Sequence, residues 1–293
     1  MDRFPPYLLL TVSIFITLTY SVIRNMYSKN HVLNEASYYS FNFGCCICST
    51  VVLLVLGIGQ LGVSWYSVLL GIVFGVMTLL AALFNMKALS MGPLAYTTVI
   101  TTSSMMIPAL SGRLFWGEPV AWYQYIGMAV MLASMICAVD AKGGGKASLR
   151  WLVYCLLNFV CGGAIGVLQK IHQSSGHGDE SAIFLVTAFL SSAVFSGIVY
   201  LKKRPRKAPA AEKKFSGAVL TMMLISGVFI ALANQINLYL SGVMDSAIFF
   251  PVVNGVGMLL AALAGIVFFR EKFTAKQWIG MGLGTVAVLL LCV

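Results

Sequence analysis

The sequence predicts an all-α integral membrane protein of ten transmembrane helices, arranged as two inverted five-helix repeats. Of its 293 residues, 59% are hydrophobic and only 10% are charged, well under half of the roughly 25% found in soluble domains. The apolar residues are gathered into runs about as long as the ~20 residues that cross a bilayer. A distinctive segment also recurs without gaps at an offset of 153, close to half the chain.

The runs fall at approximately 4–23, 36–59, 65–90, 94–116, 121–139, 149–170, 181–201, 215–241, 246–269 and 275–293. No water is present in hydrocarbon to satisfy backbone groups, so helix is the spanning form for segments this apolar. The first run follows Asp2 and Arg3, but Arg24-Asn25-Met26-Tyr27 stands where a small-x-small cleavage site would follow. It therefore reads as a helix of the mature protein rather than a signal peptide. DAKGGGKASLR at 140–150 marks the midpoint, giving a first repeat over 1–140, a linker over 141–148 and a second repeat over 149–293. KKRPRKAPAAEKK at 202–214 is the other long connection.

Charge reports orientation. The loops after odd-numbered helices hold 16 of the 19 Lys and Arg, and the opposite side holds Arg3, Arg113 and Lys170. Positive-inside counting puts the odd-numbered loops in the cytoplasm. The net charge of +10 thus reads as a mark of insertion, not as a nucleic-acid surface, which would gather its cations on one exposed face. Cys45-Cys46-Ile47-Cys48 has apolar flanks and no neighbouring His or carboxylate, so its thiols read as small buried hydrophobes. No metal and no cofactor is expected.

The repeat pairs LFWGEPVAWYQYIGM at 114–128 with VFFREKFTAKQWIGM at 267–281. Identities fall at Phe115/Phe268, Glu118/Glu271, Gln124/Gln277, Ile126/Ile279, Gly127/Gly280 and Met128/Met281. The junction of helices 4 and 5 therefore maps onto that of helices 9 and 10. Five helices per repeat is an odd number, so the halves enter the membrane in opposite senses. Many secondary transporters are built in this way, with a substrate site near the bilayer midplane.

These motifs resemble the EamA branch of the drug/metabolite transporter superfamily. The resemblance rests on KALSMGPLAYTTVI at 87–100, LFWGE at 114–118 and QYIGM at 124–128 in the first half. In the second half it rests on GGAIGVLQKIHQ at 162–173, LYLSGVMDSAIFFPV at 238–252, FFREK at 268–272 and QWIGM at 277–281. It implies export of an amino acid or related metabolite across the cell (inner or plasma) membrane.

Polar residues deep in a span are costly and mark candidate sites. Asn234, Gln235 and Asn237 on helix 8 and Asn254 on helix 9 stand at similar distances from the loop between them. Asn85 aligns with Asn237 if one gap is allowed, and Thr101 aligns with Asn254 at the constant offset. Lys87 lies beside Asn85 and could attract an anionic or zwitterionic substrate. The expected substrate-binding set is therefore Asn85, Lys87, Thr101, Asn234, Gln235, Asn237 and Asn254, lining a cavity between helices 3 and 4 and helices 8 and 9. The bland alternative has Asn joining neighbouring helices and hydroxyls bonding to their own i−4 carbonyls. Asn42, Asn158 and Gln169 are weaker candidates.

Arg24 and Lys170 stand near predicted span ends, where snorkelling to headgroups is expected. Trp65, Trp116, Trp122, Trp151 and Trp278 read as belt residues. Glu118 and Glu271 read as structural caps or contacts at helix ends rather than as proton carriers. Gly127 and Gly280 read as close-approach positions, and Gly92-Pro93, Pro108 and Pro251 as bends. His31, His172 and His177 are expected in loops, and no Asp or Glu falls in the middle third of a span, so a buried-carboxylate antiport cycle has no visible carrier. No catalytic motif is present, and an enzyme is not expected. The leading expectation is a secondary transporter of a small polar metabolite working by alternating access, with the lipid bilayer and the substrate as its partners. The alternatives are a multidrug or nucleotide-sugar-type transporter of the same fold, or a membrane sensor whose basic loop docks a partner.

Overall fold

The structure, a computed structural model, describes residues 4–31, 35–58, 62–91, 97, 100–101, 103–138, 149–203, 217–269 and 275–292. Among them are ten α-helices: α1 (Pro6–His31), α2 (Glu35–Leu56), α3 (Trp65–Met91), α4 (Met106–Trp116), α5 (Trp122–Ala138), α6 (Leu149–Gln173), α7 (Ser181–Lys203), α8 (Gly217–Val243), α9 (Ser246–Phe269) and α10 (Ala275–Cys292). They follow the order of the predicted spans. Six stretches of the described residues are long and apolar enough to cross a membrane, on α1, α2, α3, α6, α7 and α8; Ser246–Gly257 and Trp278–Leu291 are shorter apolar helices. The midpoint linker, the Gly92-Pro93 break, Glu271 and most of the basic 202–214 segment lie outside the described residues.

The helix ends follow local chemistry. Ser64 caps α3, its Oγ accepting the Ser67 N–H at 3.2 Å, which satisfies one of the amides a helix start leaves unpaired. At α5 the Gln124 side-chain oxygen accepts the Ala121 N–H at 3.0 Å, the glutamine half of a capping box. Pro108, expected to bend its span, stands just after a change of helical geometry. A 3₁₀ turn at Ser103–Met105 precedes it, and it stands in the first turn of α4, where its missing N–H is no loss.

The chain divides into two compact units. One comprises Met1–Leu10, Leu80–Ile171 and Leu240–Val293, and so holds α4, α5, α6, α9 and α10 with the end of α3. There α5 packs on α10 and α4 packs on α9, while α9 also touches α5 and α10. An added Cβ at Gly127 would meet Leu290 and Leu291, whereas Ser134 Oγ donates to the Gly280 carbonyl at 2.6 Å. The early part of α5 thus lies against the end of α10 and its later part against the start, so the two helices run antiparallel. Gly112, near the end of α4, approaches Ser246 at the start of α9, and that pair is antiparallel too.

The other unit comprises Thr11–Leu79 and His172–Tyr239. Its α2 and α7 are antiparallel, with Asn42 Nδ2 donating to Ser196 Oγ at 2.8 Å and Cys46 Sγ lying 3.7 Å from Ser192 Oγ. The cysteine cluster packs as apolar bulk. Cys45 joins Tyr27, Phe41, Val219 and Met223, and Cys48 lies under Gly227 of α8. Small residues take the role of core, as they do where lipid offers no hydrophobic contrast: a Cβ at Gly71 or Gly75 of α3 would run into the Phe184 or Ala188 carbonyl of α7.

Gly75→Val is expected to lower unfolding stability by about 1–3 kcal/mol through overpacking. Gly257→Ala, whose added Cβ meets nothing within 4 Å, should shift it by less than about 0.5 kcal/mol. Thermal unfolding in detergent measures both.

Candidate functional site

The expected binding residues fall into both units. Asn85, Lys87, Thr101 and Asn254 belong to the first, and Asn234, Gln235 and Asn237 to the second. Asn85, Lys87, Thr101, Asn234, Gln235 and Asn237 are half-buried, whereas Asn254 is exposed. Asn234 Nδ2 donates to its own Ile230 carbonyl at 2.9 Å, and Asn254 Nδ2 does the same to Phe250 at 2.8 Å. Asn237 Oδ1 accepts the Ser13 hydroxyl of α1 at 2.5 Å. Lys87 places its ammonium 5.3 Å from the centroid of the Tyr154 ring, a cation–π arrangement that shields a charge from lipid.

The first unit holds a buried ion pair that sequence reasoning did not bring together. Lys170 does not snorkel: its Nζ pairs with the Glu118 carboxylate, and the two side chains are 7% and 11% exposed. The same ammonium reaches the Met244 carbonyl at 3.4 Å, and the second Glu118 oxygen accepts the Ser246 N–H at 2.7 Å. One carboxylate therefore joins the end of α6 to the start of α9. Local sequence delivers it there. Gly117 ends α4 with φ of 63°, a left-handed conformation that glycine adopts without steric cost, and so turns Glu118 back over the helix end. Gly112 leaves the space, since a Cβ there would meet the Glu118 carboxylate and Ser246. Expectation for Glu118 as a cap at a helix end agrees with this geometry.

Trp151 and Asn158, seven residues apart, share another face of α6 and carry further polar contacts. Trp151 is not a belt residue: it is buried, and its Nε1 donates to Thr97 Oγ1 at 2.8 Å. Asn158 Nδ2 donates to the Ala81 carbonyl of α3 at 2.5 Å, and Gly163 and Gly166 admit Ile107 and Pro108 of α4. Gln169 is buried. The end of α6 continues into the second unit, where a further correction arises. His172 stands on the helix rather than in a loop and has no exposed surface, while His177 does lie in the turn that follows. Burial of His172 had one available sign, the GGAIGVLQKIHQ run continuing apolar periodicity past Lys170.

Comparison with known proteins places these features in context. Residues 181–283, from α7 into α10, match the family model described as Small Multidrug Resistance protein, a family of the drug/metabolite transporter superfamily. No curated protein matches. A solved chain described as a crystal structure of protein superposes with a TM-score of 0.76 at 15% identity, covering 97% of this chain and 95% of that one. Identity that low speaks for the fold alone. The match and the apolar helices indicate a multi-pass membrane protein of transporter type.

Removing one member of the buried pair strands the other charge. Glu118→Leu or Lys170→Met alone is expected to cost about 3–5 kcal/mol, and the double variant should recover most of that loss. Unfolding of the four proteins, compared as a double-mutant cycle, measures the coupling.

Proposed function

We propose that the chain is a secondary transporter that moves a small polar metabolite by alternating access, and that residues 1–140 and 149–293 are inverted five-helix repeats. The observation that carries this reading is that three helices pack on their counterparts five places on. The pairs α2 with α7, α4 with α9 and α5 with α10 pack together, and the contacts above run antiparallel. A two-fold axis in the membrane plane relating two odd-numbered repeats imposes that arrangement. The Glu118/Glu271 and Gln124/Gln277 matches support it, because they stand at equivalent junctions.

The resemblance to EamA-type proteins favours an amino acid or related metabolite, exported across the cell membrane. The residues proposed to bind it are those expected from the sequence: Asn85, Lys87, Thr101, Asn234, Gln235, Asn237 and Asn254. The amides of Asn234 and Asn254 already bond to i−4 carbonyls and that of Asn237 to Ser13, but each retains further donor or acceptor capacity. A second reading, transport of multiple drugs, is favoured by the match of residues 181–283 to the Small Multidrug Resistance model.

Proteoliposomes loaded in turn with labelled amino acids and with cationic drugs test both. Saturable flux of an amino acid is the expected result, flux of drugs alone selects the second reading, and absence of any flux from folded protein contradicts transport. Asn234→Leu and Lys87→Ala should each slow flux about tenfold, the scale of one lost polar contact. Thr285→Val, at an exposed threonine bonded to its own Met281 carbonyl, should leave it unchanged.

A further inference from the structure

The end of α1, the start of α2 and the end of α7 come together at one end of the second unit, where two cations meet two aromatic rings. The apolar spans of α1 and α7 finish at Arg24 and at Lys203, and Arg24, Lys202 and Lys203 are all exposed. Tyr38 and Tyr39, near the start of α2, stand between them. The Arg24 guanidinium carbon lies 5.2 Å from the centre of the Tyr38 ring, and the group donates to the Tyr38 hydroxyl. The Lys203 ammonium lies 5.9 Å from the centre of the Tyr39 ring, and the two rings meet edge to face at 5.7 Å. Each of two adjacent tyrosines thus carries its own cation.

Local packing fixes this frame. Tyr27, a turn past Arg24, stacks on Phe41 at 4.0 Å and donates its hydroxyl to the Ser37 carbonyl at 3.0 Å, which holds the end of α1 against α2. Tyr39 has no exposed surface, so the ring that meets Lys203 belongs to the core. The charge carried by the neighbouring sequence is mostly of the same sign. Beyond Lys203 come Arg204, Arg206, Lys207, Lys213 and Lys214 against Glu212, and residues 25–35 add Lys29 against Glu35. A guanidinium offers five donors and an ammonium three, and like charges gathered at a span end are stabilised by an anion shared between them. Phospholipid headgroups lie at that depth, just outside the hydrocarbon.

We propose that Arg24 and Lys203, with the adjacent Lys202, form a binding site for the headgroup of an anionic phospholipid, and that Tyr38 and Tyr39 set the positions of the two cations. A zwitterionic headgroup brings its own ammonium, which a net positive site repels, so phosphatidylglycerol fits and phosphatidylcholine does not. Positive-inside counting puts this end in the cytoplasm, the side on which anionic lipids of a plasma membrane face. The bound lipid ties the ends of α1, α2 and α7 to the bilayer surface. The site is independent of the transport reading.

Native mass spectrometry of the full chain in neutral detergent, titrated with phosphatidylglycerol and with phosphatidylcholine, tests the site. Phosphatidylglycerol should bind about tenfold tighter or more, the scale of two or three cations near a charged surface. Arg24→Gln and Lys203→Gln should each lower that preference about fivefold, the share of one cation, whereas Lys203→Arg should keep it. Because a folding defect weakens both lipids alike, the ratio between them is the readout. Arg150→Gln and Lys276→Gln, at exposed cations on α6 and α10 counted to the same face, should leave the ratio unchanged. Radiolabelled inorganic phosphate should show no saturable binding to the full chain. Equal affinity for the two lipids, or a ratio indifferent to Arg24→Gln and Lys203→Gln, overturns the proposal. Equal losses in Arg150→Gln and Lys276→Gln overturn it too, since they mark attraction to a positive face and not to a site. Saturable phosphate binding that Arg24→Gln abolishes makes a soluble anion the ligand and overturns the lipid assignment.

Discussion

The buried charge of Lys170 is the constraint around which the first unit is arranged. An ammonium taken out of water costs several kcal/mol unless partners replace its solvation. Here they are the Glu118 carboxylate and the Met244 carbonyl. Supplying them requires α4 to end where it does, Gly117 to turn left-handed, Gly112 to carry no side chain, and α9 to begin at Ser246. Glu118 also takes the first amide of α9, a placement that suits the positive end of a helix dipole. Three helix ends are thereby fixed by one carboxylate.

A second economy concerns how helices adhere in lipid. Apolar surface gains little from burial against other apolar surface when the solvent is itself hydrocarbon, so close backbone approach and satisfied polar groups must hold the bundle. Helix α6 shows this along its length, with polar contacts at Trp151, Asn158 and Lys170 and glycines between Asn158 and Lys170. In the second unit, Ser49 Oγ donates to the Gly227 carbonyl at 2.8 Å, joining α2 to α8 as Ser13 and Asn237 join α1 to α8. Asparagines expected to line a cavity are therefore also fasteners, and substrate would have to compete with, or add to, contacts already made.

What could be read from the sequence divides along a physical line. Helix order, the glutamine at the start of α5 and the close approach of Gly127 were legible, because each depends on periodicity or on residues within a turn or two. Glu118 was legible as a cap, since a glycine and a proline flank it. Lys170, Trp151 and His172 were misplaced for a common reason. Each stands near a helix end, where proximity to the interface makes exposure the default, and what buries each is a partner distant in the chain: Glu118, Thr97 and Ser67. Single-sequence reasoning has no means of pairing such residues. The repeat could have helped with Glu118, by showing that its position matters twice, but it could not supply the cation.

The central claim is that the halves are inverted, because alternating access through paired helices depends on it. Trp122, at the start of α5, and Ala275, at the start of α10, are equivalent positions and both exposed. A single cysteine placed at each, in a background with the seven native cysteines replaced, can be labelled with a membrane-impermeant maleimide in sealed, uniformly oriented vesicles. Labelling of the two positions from opposite faces is the predicted result. Labelling of both from the same face would contradict an inverted repeat and the mechanism drawn from it.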